Sequence, residues 1–225
     1  MHYQHEAQLA NIVTSYCTCL AGLMPLLFTL LGRKQPARWV VAYSCMLITG
    51  IPTVWLHSME GYRLASFFDV GTNILLAWAA ILAVSGDFMQ RESRRKLLIV
   101  ITPIDVAVIG WLLWEVFAAE KVPLIRFGDF GQFYTGQVAL IANAWVAAIL
   151  FVKNVRRIPH HARALMWLTL IMFFMGMLLA TASKHQVSGY ILAWHATWHV
   201  IGAFGFISLW AFNDLRFHNV ASKES

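Results

Sequence analysis

Charge is what this sequence has least of. Asp, Glu, Lys and Arg make up 12% of its 225 residues, against 59% hydrophobic. The mean hydropathy of +0.62 is well above the balance of a water-soluble domain. Apolar runs of about 20 residues, the length needed to cross a hydrocarbon core of ~30 Å, recur along the chain with only short polar breaks. Those proportions exclude a soluble globular domain. A secretory leader is not expected either. Met1 to Gln8 is polar and carries Glu6 without a basic segment, and no small-residue cleavage site follows the first apolar run, so that run reads as a retained helix. Internal repeats, low-complexity tracts and long linkers are likewise lacking, which favours one helical bundle over several domains.

Cysteine is scarce. Cys17, Cys19 and Cys45 all fall inside apolar runs, where they read as small core residues rather than disulfide partners or metal ligands. The net charge of +6 points to membrane topology rather than to an anionic partner, because the basic residues gather in a few short connections, and nucleic acid binding is not expected.

Seven spans follow from the apolar runs, at roughly 9–32, 39–58, 66–85, 97–118, 133–152, 164–182 and 191–213. The fold class expected is an all-α integral membrane protein, a single seven-transmembrane-helix domain over residues 1–225. The first, third and fifth connections hold Arg33, Lys34 and Arg38, then Arg91, Arg94, Arg95 and Lys96, then Lys153, Arg156, Arg157 and Arg163. The second, fourth and sixth hold only Arg63, then Lys121 and Arg126, then Lys184. By the positive-inside rule the odd connections and the C-terminus are cytoplasmic and the N-terminus is extracytoplasmic, a parity that seven spans satisfy.

Ionisable side chains inside a bilayer cost about 2.5–3.5 kcal/mol each even on the lenient insertion scale, so those within spans mark places to look. They are His57, Asp69, Asp105, Glu115, His195 and His199. The second span runs outward to His57, the third runs inward from just before Asp69, and the seventh runs inward with His195 and His199 in its first turns. All four therefore arrive at one depth near the outer face. His195 and His199 are four apart and share one helix face, about 6 Å apart along the axis, a spacing that lets two imidazoles hold one ion. Such a pair also arises by chance in helical sequence. His57 at the same depth would complete a three-histidine set, a common way to hold a catalytic zinc with the fourth position open. Asp69 then has two available roles, fixing a ligand histidine's tautomer or accepting a proton from metal-activated water.

Other polar residues read more plainly. His160 and His161 sit in a basic connection and are expected in solvent or among headgroups. His2, His5, His185 and His218 are terminal or loop residues with no partner legible in the sequence. Asp105 and Glu115 are ten apart on one span, too different in depth to share an ion, and Asp105 is expected to satisfy a polar partner in the bundle. Trp39 and Trp194, at span ends, read as interfacial anchors.

A TxxxH string from Thr53 to His57, an Asp opening the third span at Asp69, and HATWHVIGAFG in the seventh together resemble the alkaline ceramidase branch of the CREST membrane hydrolases. The likeness covers the seven-helix layout and rests on a few motif residues. It implies that His57, His195 and His199 ligate zinc, that Asp69 orients or deprotonates the activated water, and that Thr53 stands where the family usually has Ser, keeping a hydroxyl for water or oxyanion. It also implies a lipid substrate, ceramide or another acyl lipid, hydrolysed at an amide to release fatty acid and a sphingoid-type base. The DVGTN stretch from Asp69 lacks the acidic and proline residues of the eukaryotic ceramidases, a departure that bears on substrate more than on chemistry. Three other readings compete: a hydrolase of phospholipid or lysolipid esters, a seven-helix receptor with a structural zinc, and, ranked last for want of matching broken helices, a transporter.

Overall fold

The computed structural model of the chain describes residues 2–59, 63–118, 124–126, 132–182 and 194–218. Lys121, Lys184 and His185, and the side chains of His2, His5 and Trp194, lie outside the described residues. The described residues form seven α-helices: α1 His2–Leu30, α2 Ala37–Ser58, α3 Arg63–Phe88, α4 Arg91–Phe117, α5 Thr135–Lys153, α6 His160–Ala182 and α7 Trp194–His218. Each contains a stretch long and apolar enough to cross a membrane, which is the architecture of a multi-pass membrane protein. The helices overlay the expected spans, and their ends differ for identifiable reasons.

The first span was expected to run to 32, but α1 stops at Leu30. Gly32 takes a φ of +105°, open to glycine without strain, and the following amide of Arg33 closes back onto the carbonyl of Phe28 at 2.9 Å. The fifth span was expected from 133. Phe133 instead lies in a short antiparallel ribbon, β1 Ile125–Arg126 against β2 Gln132–Phe133, and α5 begins at Thr135, where the Gln137 side chain accepts the Tyr134 amide at 3.2 Å. The seventh span was expected to end at 213, but α7 continues to His218 because Asn213 and Arg216 turn inward to partners described below. Arg38, Arg91, Arg94, Arg95, Lys96 and Arg163, assigned to connections by their charge, occupy the first turns of α2, α4 and α6.

In cross-section, α7 lies between α6 and α1, α1 packs on α2, α2 on α3, and α3 on both α4 and α5. The α1–α2 seam is close because glycine faces backbone on both sides. A Cβ on Gly22 would collide with the Leu47 backbone, and one on Gly50 with Cys19. Without a hydrophobic force between helices in lipid, such small-residue contacts are what let dispersion hold two helices together.

One end of the bundle is tied by charge. Asp87, near the end of α3, is 4% exposed and accepts from Arg38 Nε at 2.7 Å, from Trp39 Nε1 at 2.9 Å, and from the guanidinium ends of both Arg38 and Arg216. Arg216 also donates to Asn213 Oδ1 at 2.8 Å, Asn213 donates to the Tyr43 hydroxyl at 3.0 Å, and Tyr43 donates to Gln35 at 2.8 Å. The Arg216 guanidinium lies 4.4–4.8 Å from the ring centres of Phe217 and Phe212. Trp39 is therefore no interfacial anchor. It is fully buried between Tyr43 and Phe151, because an internal carboxylate offers its indole N–H a better partner than the headgroup layer does.

Candidate metal centre

The opposite ends of the same helices carry the histidines. Antiparallel packing brings the last turn of α2 beside the first turns of α3 and α7, so His57, Asp69, His195 and His199 are delivered to one end. Pro52 lies a turn and a half before His57 and supplies no amide to the helix, yet α2 runs unbroken to Ser58. Thr53 and His57, four apart, share a face of that last stretch.

His57, His195 and His199 converge as a group whose ligand atoms all lie within 4.8 Å of one another. Their ring centres are 4.8–5.1 Å apart. The Nε2 atoms of His57 and His195 are 3.2 Å apart. Two ligands at 2.0–2.1 Å from a tetrahedral ion are separated by about 3.3–3.4 Å, so this edge already has the dimension of a shared ion. The longest separation must close by about 1.5 Å to reach the same value, a shift within reach of small side-chain torsion changes. His199 is buried, at 5% exposure, and His57 and His195 are half-buried. This group can hold a metal ion. No fourth His, Cys, Asp or Glu joins it among the described residues.

Asp69 and Thr53 are brought together one turn away. The Thr53 hydroxyl lies 2.5 Å from Asp69 Oδ1 and 2.9 Å from the Thr49 carbonyl, which ties α3 to α2 at the level just inside the triad. Its first engagement is thus with the Asp69 carboxylate, not with a site it shares with the imidazoles. Asp69 lies outside the three-histidine group itself.

The remaining polar residues sort as follows. Asp105 has the bundle partner expected of it: the Asn143 side-chain amide stands 2.9 Å from each of its oxygens. Glu115, on the same helix, accepts from Trp111 Nε1 at 3.0 Å. His160 and His161 are exposed, and Arg163 faces the His160 ring at 3.1 Å. His218 does have a partner, Asp214 one turn earlier at 3.1 Å, because α7 continues far enough to make an i,i+4 pair.

What the sequence reading missed is α1. Thr14 Oγ1 lies 3.1 Å and Ser15 Oγ 3.4 Å from His199 Nδ1, and Gln8 Nε2 donates to the His57 carbonyl at 3.4 Å. The signal was present. Gln8, Asn11, Ser15 and Thr18 recur three and four apart inside an apolar span, with Thr14 beside them, a polar stripe on one helix face. Uncharged residues attract less notice than ionisable ones, and the stripe passed as ordinary span composition.

Compared with protein-family models and with curated proteins, the sequence matches none.

Proposed function

We propose that the protein is a zinc-dependent intramembrane hydrolase of a lipid amide, ceramidase-like in its chemistry, releasing a fatty acid and a sphingoid-type base. The observation that carries this reading is the convergence of three imidazoles from two helices, with no fourth protein ligand among the described residues, one turn from a carboxylate held by a hydroxyl. Structural zinc sites are closed by four protein ligands, whereas catalytic ones keep one position free. His57, His195 and His199 hold the ion. Zinc, when bound, supplies a Lewis acid that polarises a carbonyl and lowers the pKa of water toward ~7. Asp69 takes the proton of the attacking water and returns it to the leaving amine as the C–N bond breaks, and Thr53 steadies the carboxylate for both transfers.

With the positive connections inside, the centre sits at the extracytoplasmic end, where an acyl chain lies between helices while the amide stays at the polar boundary. The likeness of Thr53 to His57, Asp69 and HATWHVIGAFG to the ceramidase pattern supports the amide over other bonds. A carbonyl-polarising centre acts equally on esters, so phospholipids and lysolipids are the competing substrates.

The test is metal content by mass spectrometry on protein purified in detergent without chelators, alongside turnover of a panel of ceramides, phospholipids and lysolipids. Close to one zinc per chain, lost in His57→Ala, His195→Ala and His199→Ala, with ceramide as the preferred substrate, is the expected result. Absence of metal from the wild type overturns the reading. Metal without turnover of any lipid leaves a structural zinc in a receptor-like bundle as the better account.

A further inference from the structure

The polar face of α1 reaches an imidazole of the metal centre at His199, and the chemistry of that contact is constrained. Thr14 Oγ1 is 2.7 Å from the Ala10 carbonyl, and Ser15 Oγ is 2.6 Å from the Asn11 carbonyl. Each hydroxyl has a single proton, and in both cases the shorter contact is to a carbonyl one turn back, an acceptor with no proton of its own. With those protons committed, both oxygens present only lone pairs to His199 Nδ1, at 3.1 and 3.4 Å. An imidazole nitrogen facing two acceptors must be the one that bears hydrogen. The lone pair of His199 is then on Nε2, and His57 and His195 already face each other through Nε2.

We propose that Thr14 and Ser15 are positioning residues for His199, holding its proton on Nδ1 so that all three imidazoles offer Nε2 to one ion. The inference rests on the metal reading above and deepens it. Ordinarily a single carboxylate or carbonyl orients a ligand histidine. Here two neutral hydroxyls do so beside the Asn11 backbone carbonyl, all of them uncharged and therefore cheap to bury in a membrane. The arrangement also gives α1 a role beyond packing: it supplies no ligand, yet the third ligand is oriented only when α1 is seated against α7.

The measurement is cobalt(II) binding to detergent-purified protein stripped of metal, followed by visible absorption and competition with a chelator of known affinity. Wild type is compared with Thr14→Val, Ser15→Ala, the double variant and the conservative pair Thr14→Ser and Ser15→Thr. The expected result is stoichiometric binding by wild type, affinity lower by about 10–100-fold in the double variant with a changed ligand-field spectrum, and near wild-type behaviour in the conservative pair. Size-exclusion elution is recorded for each variant. A double variant that elutes as wild type and binds cobalt with unchanged affinity and spectrum overturns this inference while leaving the metal centre standing. Failure of the wild type to bind overturns both. Should the double variant aggregate, the two single variants carry the test, each expected to lose part of the affinity, and full affinity in both overturns the inference.

Discussion

Replacing Asp87 by Asn removes one charge from the tied end of the bundle and leaves two. The carboxylate is 4% exposed and receives donors from Arg38, Trp39 and Arg216, of which Arg216 is itself only 9% exposed. An amide of the same size keeps one acceptor oxygen and turns an NH₂ toward guanidinium groups that cannot accept. Two cations that shared an anion would then face each other with none between them. Removing one partner of a buried ion pair costs about 3–5 kcal/mol, because the partner's desolvation is no longer compensated. Arg38, at 33% exposed, recovers part of its hydration, which puts the expectation at the lower end of that range. For a chain of this length each kcal/mol corresponds to roughly 2–4 °C in melting temperature, so a fall on the order of 10 °C is expected. Thermal scanning of detergent-purified protein with size-exclusion readout measures it. The variant Asp87→Asn combined with Arg216→Met is expected to recover several degrees, since it removes the more buried of the stranded charges. A single variant that melts within about 2 °C of wild type refutes the reasoning, and Asp87 would then be a surface contact and not a clamp.

Three further outcomes follow from particular contacts. Asp69→Asn is expected to retain zinc and to lose hydrolysis by about 10²–10⁴-fold, the usual worth of a positioned acid–base group; loss of metal in this variant would instead make Asp69 a determinant of binding. Gly50→Ala places a Cβ against the Cys19 backbone and side chain and is expected to lower stability by about 1–3 kcal/mol in the same thermal assay, with Gly71→Ala, where a Cβ meets nothing within 4 Å, as the neutral comparison. Asn143→Leu leaves the Asp105 carboxylate without the amide that faces it and is expected to cost about 1–3 kcal/mol, while Asn143→Leu with Asp105→Leu is expected to return most of it; a double variant no better than the single shows that the pair is not coupled.

The seven helices were legible because the membrane imposes a length and a composition that apolar runs report directly, from the run before Arg33 to the run that holds His199. The triad was legible for a related reason. Alternating crossings convert position along a span into depth, and depth placed His57 of α2 beside His195 and His199 of α7 before any packing was known. Two things escaped. Asp87 and Arg216 lie at span ends, where charge is expected on topology grounds, so nothing in the sequence distinguishes a cation in the headgroup layer from one turned inward onto a carboxylate. Trp39 was misread for the same reason, since a tryptophan near a boundary looks alike whether its N–H meets water or Asp87. Thr14 and Ser15 escaped because hydroxyls in an apolar helix usually bond back to their own turn, as both of these do, and the further contact to His199 depends on which helix lies alongside.

The two polar constellations sit at opposite ends of α2, α3 and α7 and differ in kind. From Arg38 to His57 along α2 is about 28 Å at 1.5 Å per residue, close to the thickness of the hydrocarbon core. At the Arg38 end, positive and negative groups are matched within the protein, and a network with its own counter-charge binds helices without inviting a ligand. At the His57 end, three imidazoles converge, no carboxylate joins their group among the described residues, and two of their nitrogens approach to 3.2 Å. Two imidazole nitrogens at this distance hold a proton or a cation between them. A metal ion satisfies all three nitrogens at once, whereas a single proton bridges only two. The charge-matched end ties the helices together, and the histidine end is the one that can hold a metal ion.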